Sequence, residues 1–447
     1  MIALRPASRH AAEPARNKAD RRDAPRREAP RRDAPARDEA PTSPAAGTFH
    51  YFCPCPRGLE AALADELRTL GAHDIDTRPG GVGCRGDLKL AYRINLEARL
   101  PSRVLLRLLD AACRNEHTLY RLCNALAWED WFDARQTIRV DVVAQRSPLR
   151  SLNFATLRIK DAIVDRFRDQ GGERPSVDTH HPDVRISAFL TADRLQLYLD
   201  LSGEPLFKRG WRHSAENRVA APLKENLAAG LLALSGWDAR QPLLDPFCGS
   251  GTLVIEAAQI LCDHAPGLNR HFGIEQLRLH DATLYDGLVT ALRKRARQGI
   301  EKAPRGLIRA SDLDPHAMRL TAENLQTLGL PDDLVEMQTL DAVDAQPGGD
   351  TPGVLLANPP YNEIRGFDEG YFLYIEDVDI CSRLCLAGWS LAQVADTRVV
   401  HDARKQSHRS LRFTRWHIGG MLRYWTRTCF WRYGWRLWRE GRKAGKE

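Results

Sequence analysis

The chain has 447 residues and a formal net charge of +7; 43% of its residues are hydrophobic and 28% are charged. This length allows two or three domains with their own cores, and the composition is ordinary for a soluble protein. No run of about twenty apolar residues exists, which excludes a membrane-spanning helix. The positive charge indicates a polyanionic partner, and it lies at the ends: residues 1–47 hold eleven Lys/Arg against seven Asp/Glu, and residues 401–447 hold thirteen against three.

Residues 1–47 read ADRRDAPRREAPRRDAPARDEAP at their centre and contain no aromatic residue. Such a segment buries too little apolar surface to offset the entropy of ordering it, so it predicts a disordered tail. Its acidic residues do not fit a mitochondrial presequence, and it lacks the apolar run of a secretory signal. Together these features predict a cytoplasmic protein.

The ten cysteines are scattered through the chain and, without an export signal, are expected to stay reduced. Cys53 with Cys55 and Cys381 with Cys385 are isolated pairs without further ligands at the spacing of a zinc site. No metal is therefore expected.

Residues 48–112 alternate in the order β-α-β-β-α-β, which is the ferredoxin-like arrangement. The strand HYFCPC leads into the helix GLEAALADELRTLG, two short strands flank the turn at Pro79, Gly80 and Gly81, and the helix DLKLAYRINLEA precedes the strand RVLLRLLDA. Residues 113–205 predict a second α+β unit: the helix HTLYRLCNALAW, the strand TIRVDVVAQ, the helix FATLRIKDAIVDRFRDQG and the hairpin VRISAFLTADRLQLYLDLSG.

Residues 206–365 repeat a pattern of strand, acidic terminus and helix. The first strand, in PLLDPFCGSGTLVIEAAQIL, ends at Asp245; the second, in LIRASDLDP, ends at Asp312 and Asp314; the third ends near Asp341; and GVLLANPPY holds a fourth. This pattern predicts a doubly wound α/β sheet that presents carboxylates to a ribose and an adenine at the carboxyl ends of its strands.

The loop after the first strand distinguishes between two nucleotide ligands. NAD requires G-x-G-x-x-G with an acidic residue about twenty positions further on. Here the pattern is Asp245-x-Phe247-x-Gly249-x-Gly251, without a third glycine, and Asp312 lies 67 residues after Asp245. The loop resembles instead the S-adenosylmethionine loop of class I methyltransferases.

DPFCGSGT, SDLDP and NPPY occur in that order, after a ferredoxin-like unit and KDAIVDRF. This set resembles the RNA guanine-N2 methyltransferases that contain a THUMP domain, especially the bacterial enzymes acting on large-subunit ribosomal RNA. The resemblance covers about residues 49–364, including the insertion PGLNRHFGIEQLRLHDATLYDGL. It implies a ferredoxin-like and THUMP α+β region, followed by a class I, Rossmann-like methyltransferase domain.

The resemblance also implies the roles of individual residues. For S-adenosylmethionine it implies Asp245, Gly249 and Gly251 at the methionine moiety, Asp312 at the ribose hydroxyls and Asp341 at the adenine amine, with Phe247 as a further cofactor-binding residue. For the target base it implies Asn358, Pro359, Pro360 and Tyr361. An exocyclic amine is a poor nucleophile because its lone pair is delocalised into the ring. The side-chain oxygen of Asn358 and the carbonyl of Pro359 can accept its two hydrogens while Tyr361 stacks on the base.

Simpler interpretations exist for each of these residues. Asp245 or Asp341 alone would be read as a strand-end carboxylate that caps a helix, and the two prolines as the end of a strand. Asn-Pro-Pro-Tyr also occurs in adenine-N6 enzymes, so the choice of guanine rests on the family. RNA binding by the THUMP-like unit rests on the resemblance alone, since that unit shows no aromatic stacking platform.

Three basic residues near the start of the third unit are candidates for contacts to RNA phosphates. These are Lys208, Arg209 and Arg212. A solvated basic face explains them as well.

Residues 366–447 do not continue the family pattern. They resemble the last third of a family 2 glycosyltransferase, in which Glu376, Asp377 and Asp379 would belong to an acidic segment with Asp377 as a candidate base. This suggests a fusion near residues 362–369 and a methyltransferase sheet that is incomplete at its carboxyl-terminal end, with weak or no catalysis. In the alternative interpretation, GWSLAQVADTRVV is the fifth strand of the methyltransferase sheet.

The tail LRFTRWHIGGMLRYWTRTCFWRYGWRLWREGRK interleaves tryptophan with arginine. This pattern fits a helix that lies at a membrane surface, a nucleic-acid grip, or packing on the protein itself.

The sequence thus predicts a methyltransferase that modifies a guanine N2, with large-subunit ribosomal RNA as partner and S-adenosylmethionine as cofactor. The first alternative is a THUMP protein that binds RNA without activity, and the second is a glycosyltransferase fragment, which the missing nucleotide-sugar half disfavours.

Overall fold

The structure is a computed structural model. It describes residues 3–6, 38, 41–149, 151–212, 223–342, 344–346, 352–358 and 389–392, with the backbone alone at 3–6 and 389–392. Several sequence predictions lie outside these residues: those on Pro359, Pro360 and Tyr361, on Glu376, Asp377 and Asp379, on the Cys381 and Cys385 pair, and on the tryptophan-rich tail.

The predicted strands and helices of residues 49–358 occur in the predicted order. In chain order they are β1 (Ala3–Pro6), β2 (Phe49–Pro54), α1 (Glu60–Thr69), β3 (His73–Arg78), β4 (Gly81–Gly86), α2 (Leu88–Glu97), β5 (Leu105–Ala112), α3 (Glu116–Asn124), β6 (Ile138–Ala144), α4 (Leu152–Asp169), β7 (Val184–Leu190), β8 (Arg194–Asp200), α5 (Glu225–Ser235), β9 (Leu243–Asp245), α6 (Thr252–Leu261), α7 (Ala282–Lys302), β10 (Ile308–Asp312), α8 (Pro315–Thr327), β11 (Val335–Thr339), β12 (Val354–Leu355) and β13 (Trp389–Ala392).

A seven-stranded sheet contains both predicted amino-terminal units. Its order is β3-β4-β2-β5-β8-β7-β6, and every pair is antiparallel except β6 with β7. Strands β2 to β5 with α1 and α2 confirm the ferredoxin-like order. Strand β5 then pairs with β8 from Leu105 opposite Asp200 to Ala112 opposite Arg194, so the second unit extends the sheet of the first.

One core lies beneath this sheet because the strands alternate inward and outward side chains. In β2, Phe49, Tyr51 and Cys53 are buried and their neighbours are half-buried. Helices begin at side-chain caps: Asp87 accepts the N–H of the third residue of α2, and Ser151 does the same for α4. The first unit, the second unit and α7 share this core.

The second sheet has the order β11-β10-β9-β12-β1-β13. Strands β11, β10, β9 and β12 are parallel, which confirms the doubly wound pattern. Buried apolar residues of α6 and α8 join Leu243 and Ile308 in one core. No helix among the described residues is long and apolar enough to cross a bilayer.

The far side of β12 differs from the prediction. Strand β1 pairs with β12 through Leu4 and Leu355, and β13 pairs with β1 through Leu391 and Leu4, both antiparallel. The fourth strand therefore has a neighbour on each side, although the sequence predicted an open core there. Residues 3–6 are a strand rather than part of a disordered tail. Trp389–Ala392 lies in the methyltransferase sheet, as the alternative interpretation of GWSLAQVADTRVV requires.

Buried charges join the two sheets. Glu256 of α6 is fully buried and accepts from two arginines: Arg99 Nη1 lies 3.2 Å from Oε2, and Arg209 Nε lies 3.0 Å from Oε1. Arg209 Nη2 also donates to the Arg99 carbonyl at 2.7 Å. Because Arg99 follows α2 of the first sheet, this cluster fixes α6 against the amino-terminal units.

Candidate cofactor site

Four predicted site residues lie at the carboxyl edge of the parallel strands. Asp245 ends β9, Asp312 ends β10 in register with Thr339, Asp341 follows β11 by two residues, and Asn358 follows β12 by three. Because the carboxyl ends of parallel strands meet at one edge, these four residues lie along the same edge of the sheet.

The glycine loop between β9 and α6 is anchored to the second strand. The N–H of Gly249 donates to Asp312 Oδ2 at 2.9 Å. Gly249 and Gly251 have φ angles of 54° and 83°, in the left-handed region that side chains disfavour. A Cβ added at Gly249 would meet nothing within 4 Å, so this face of the loop is open to a ligand.

Helix α8 holds the loop in place through two side-chain hydrogen bonds. Thr321 Oγ1 donates to the Gly249 carbonyl at 3.0 Å, and Asn324 Nδ2 donates to the Ser250 carbonyl at 3.1 Å. Both side chains are fully buried. A Cβ at Gly251 would lie 2.7 Å from Thr321 Cγ2, so only glycine allows this close approach. Sequence reasoning missed Thr321 and Asn324; the signal was a pair of polar residues three apart on the apolar side of a helix.

Asp245 is a buried carboxyl. Burial first, and then the nearby charge of Asp312, raise the pKa of Asp245 to about 7. Its Oδ1 accepts the N–H of Phe247 at 3.1 Å. A group with this pKa can gain or lose a proton near neutrality, so a cationic ligand would draw it into the charged form. Burial and the two carboxylates raise the pKa of Cys248 well above its usual value, so this thiol is not a nucleophile.

Arg212 connects α5 to the end of this loop. Its Nε donates to Glu225 Oε1 of α5 at 2.8 Å, its Nη2 to Thr252 Oγ1 at 2.6 Å and its Nη1 to Ser250 Oγ at 3.4 Å. The guanidinium also stacks on the buried ring of Trp211 at 4.5 Å. The contact of Arg212 with RNA phosphates stays a prediction.

The other two basic candidates, Lys208 and Arg209, lie in different environments. Arg209 is buried in the Glu256 cluster, so the prediction that it contacts RNA is wrong. Lys208 is exposed and forms an ion pair with Glu204. The sequence could not distinguish these neighbours, because the carboxylate that pairs with Arg209 lies 47 residues away along the chain.

The donor set fits S-adenosylmethionine. It combines an open glycine face, a buried carboxyl that can face a cation, and a strand-end carboxylate at the position of ribose recognition. Among the residues that the structure describes, no group of three or more His, Cys, Asp or Glu could hold a metal. The seven described cysteines are buried free thiols.

Profiles of three protein families match the chain. The family described as "RMKL-like, methyltransferase domain" matches residues 209–423, the THUMP domain matches 113–200 and the "RlmL ferredoxin-like domain" matches 50–105. The methyltransferase profile continues past residue 366, so a glycosyltransferase origin for the segment that follows is not supported.

Curated relatives carry the name "Ribosomal RNA large subunit methyltransferase K/L". The protein of Syntrophotalea carbinolica is 42% identical over 353 residues, covering 76% of this chain and 48% of its own. That of Shewanella frigidimarina is 35% identical over 368 residues, covering 81% and 51%. The chain thus spans about half the length of the curated relatives it matches.

Solved structures show the same architecture. SMU.472, solved as a complex with SAH, is 30% identical with a TM-score of 0.62, covering 75% of this chain and 85% of its own. The "predicted N6-adenine-specific DNA methylase" of Listeria monocytogenes is 28% identical with a TM-score of 0.66, covering 76% and 85%. The chain therefore belongs to the family of RMKL-like methyltransferases that carry a THUMP domain.

Proposed function

We propose that this chain uses S-adenosylmethionine to methylate the exocyclic N2 of a guanine in large-subunit ribosomal RNA. The observation that carries the proposal is the bond from Gly249 to Asp312, which joins the glycine loop to the second strand at the carboxyl edge of the sheet. The names of the curated relatives and the SAH complex of SMU.472 support it.

The cofactor's sulfonium supplies an electrophilic methyl group, and the residues of this chain orient the reactants. Asp312 holds the ribose hydroxyls with the carboxylate that also shapes the loop. Asp341, two residues after β11, would bind the adenine amine. Asp245, with its pKa raised to about 7, ionises against the cationic methionine end. We assign Phe247, Gly249 and Gly251 to the same end, where the backbone comes close to the ligand.

Asn358 would position the target amine. It is half-buried at the carboxyl end of β12, on the edge that holds the three aspartates. Its side-chain oxygen and the Pro359 carbonyl would accept the two amine hydrogens, while Pro360 stiffens the loop and Tyr361 stacks on the base. Catalysis then depends on positioning and dipoles and needs no strong base. The base must leave its helix to enter.

The proposed units follow one another along the chain. We propose a ferredoxin-like unit at 48–112, a THUMP unit at 113–205 that binds RNA, and a methyltransferase unit that begins at 206. The predicted end of that unit at 365 is extended, because β13 lies in its sheet and the matching profile runs to 423, and residues 1–47 contribute β1 to the same sheet. Since the proposed substrate is ribosomal RNA, we place the protein in the cytoplasm. For the tryptophan-rich tail we retain contact with a membrane surface as a proposal, which flotation of the isolated tail with liposomes would test.

Calorimetric titration with SAH tests the cofactor site. The wild type should bind, and Asp312→Ala should lose binding because both the loop anchor and the ribose ligand are removed. Asp332→Ala, an exposed carboxylate near β11, is the matched control and should bind like the wild type. Absence of binding in the wild type, or equal binding by Asp312→Ala, would reject the site.

Transfer of a labelled methyl group tests the substrate. Large-subunit ribosomal RNA from cells that lack this modification should accept label, and nuclease digestion should place it in N2-methylguanosine. Label in N6-methyladenosine would overturn the choice of base, and binding of SAH without any transfer would favour a protein that binds RNA only.

A further inference from the structure

Helix α7 carries a group of cations that the cofactor site does not use. Arg293 and Arg297 are exposed and lie one turn apart, and the exposed Lys294 follows Arg293. Lys302, the last residue of the helix, is exposed as well. We define these four residues as the basic surface of α7, which extends for about 14 Å along the helix axis.

The basic surface has no counter-charge. Within the part of the chain that the structure describes, none of its four side chains forms an ion pair or a hydrogen bond. Arg295 of the same helix differs, because it is half-buried and its Nη1 lies 2.8 Å from Glu97 Oε2 while its Nε lies 2.9 Å from Asp263 Oδ2. The run RKRAR therefore uses one arginine inside the protein and leaves three cations to meet solvent or a partner.

The stability of the helix does not account for these charges. Cations stabilise the carboxyl end of a helix through its dipole, but this effect is confined to the last turn. It applies to Lys302, whereas Arg297 lies five residues before that end. Arg293 and Arg297 are four residues apart, and like charges at this spacing destabilise a helix. A partner that carries negative charge explains the three cations better.

Helix α7 holds the basic surface in a fixed position. Leu292 and Ala296 are buried in the core of the amino-terminal units, and Ala303, just after the helix, is buried in the core of the second sheet. A Cβ added at Gly299 would overlap the carbonyl of Cys262, so the helix touches the chain directly after α6. The basic surface therefore lies where the two halves of the protein meet.

The basic surface is remote from the cofactor edge. Helix α6 begins at the glycine loop and runs away from that edge for ten residues, or about 15 Å. Helix α7 touches the far end of α6 at Cys262, and β10 starts from the opposite edge six residues after Lys302. A ligand on this surface would therefore anchor to the protein without reaching the transferred methyl group.

We propose that the basic surface of α7 binds the phosphate backbone of a double-stranded segment of the substrate RNA. Lysine and arginine bind phosphates without reading the sequence. Residues 290–302 contain no aromatic residue on which an unpaired base could stack, so the surface fits a duplex better than a single strand. The inference rests on the proposed action on RNA and gives that RNA a contact outside the THUMP unit.

An anionic membrane is the other polyanion that a basic helix can meet. A helix that lies in a membrane surface inserts an apolar face into it. The apolar side of α7 is already covered, since Leu292 and Ala296 are buried and Leu288 and Val289 pack against the same core. This burial favours RNA as the partner.

Fluorescence anisotropy of the full chain tests the proposal with a labelled RNA duplex of about sixteen base pairs, over a series of salt concentrations. The test variant combines Arg293→Gln, Lys294→Gln and Arg297→Gln. It should weaken binding about tenfold or more at low salt and reduce the salt slope by about 2 to 3, the value for three phosphate contacts. Glutamine forms helices about as well as lysine and arginine, so the variant should fold like the wild type.

The matched control removes the same charge from three other elements. It combines Arg57→Gln, Arg240→Gln and Arg319→Gln, which are all exposed. The control should keep the wild-type salt slope and bind the duplex within about twofold of the wild type. A loss equal to that of the test variant would show attraction by the overall charge of the chain and would overturn the proposal.

Methyl transfer to ribosomal RNA gives a second measurement. Because the basic surface is remote from the cofactor edge, the test variant should raise KM for the RNA about tenfold and leave kcat and SAH affinity unchanged. Arg297→Glu, which reverses one charge, should raise KM more than Arg297→Gln does.

The outcomes separate this inference from the proposed function. Wild-type duplex affinity and salt slope in the test variant would overturn the basic surface alone. So would a variant that keeps its duplex affinity but no longer binds vesicles containing phosphatidylserine, since the partner would then be a membrane. A wild type that binds the duplex through α7 but transfers no methyl group would overturn the proposed function alone, and one that binds SAH but no RNA would overturn both.

Discussion

At the scale of single residues, Arg212 links α5 to the glycine loop through Glu225, Ser250 and Thr252. Arg212→Ala should lower SAH affinity about tenfold or more, because the loop loses its only described cationic clamp. Arg212→Lys keeps the charge without the planar fork and should recover part of the affinity. Calorimetry measures both, and the exposed Arg240→Ala is the control. Affinity equal to the wild type in Arg212→Ala would show that the loop holds its shape without this clamp.

Asp245 makes stability depend on pH. Its folded pKa of about 7 lies above the unfolded value of about 3.9, so the folded state binds more protons between those values. This extra proton on Asp245 stabilises the folded state by at most on the order of 4 kcal/mol. The stabilisation is fully present below about pH 4 and is lost as the pH rises to about 7. Asp245→Asn should keep the bond from Phe247, flatten this slope and raise stability at pH 8. Urea unfolding at pH 5 and pH 8 measures the effect, with Asp286→Asn on α7 as the control; a slope that persists in Asp245→Asn would assign it to another group.

The motif spacing predicted Asp245, Gly249 and Asp312 because strand-end residues of parallel strands must meet at one edge. It could not predict the roles of Arg209 and Arg212. Glu256 lies 47 residues from Arg209, and Thr252 lies 40 residues from Arg212, so only the packing of α6 brings these partners near.

At the scale of elements, the two glycines of the loop between β9 and α6 differ in how closely α8 approaches them. Gly251→Ala should cost more than about 3 kcal/mol and abolish SAH binding, because a positive φ adds to a clash with Thr321. Gly249→Ala has open space and should cost only about 1–2 kcal/mol from the backbone. Urea unfolding and SAH titration of the two variants give the comparison. Equal costs would mean that α8 yields to the added methyl group.

The sequence predicted most elements correctly, since periodicity and glycine turns are local signals. Strand pairing is different because it depends on contacts far apart in the chain. The pairing of β5 with β8 merges two units that the sequence describes separately. The insertion of β1 beside β12 also had no local signal, because the four residues Ala3–Pro6 precede a segment rich in charge and proline.

At the scale of the whole molecule, the Glu256 cluster joins the sheet of the amino-terminal units to the helix that begins at the cofactor loop. Glu256→Gln would remove the carboxylate that pairs with both Arg99 and Arg209 and leave only the more distant Glu66 and Glu225, so it should cost up to about 3–5 kcal/mol. Glu336→Gln breaks a half-exposed pair with Arg309 at 2.8 Å and should cost less than about 1 kcal/mol.

Calorimetric unfolding with and without SAH shows whether this cluster also couples the two halves of the protein. In the wild type, SAH should raise the unfolding temperature of both halves together, because the Glu256 cluster links α6 to the amino-terminal units. In Glu256→Gln, SAH should stabilise a methyltransferase transition that separates from an amino-terminal one. If Glu256→Gln still unfolds in a single transition that SAH shifts, apolar packing between the halves is enough to couple their unfolding. The ion pairs would then contribute stability without coupling the two halves.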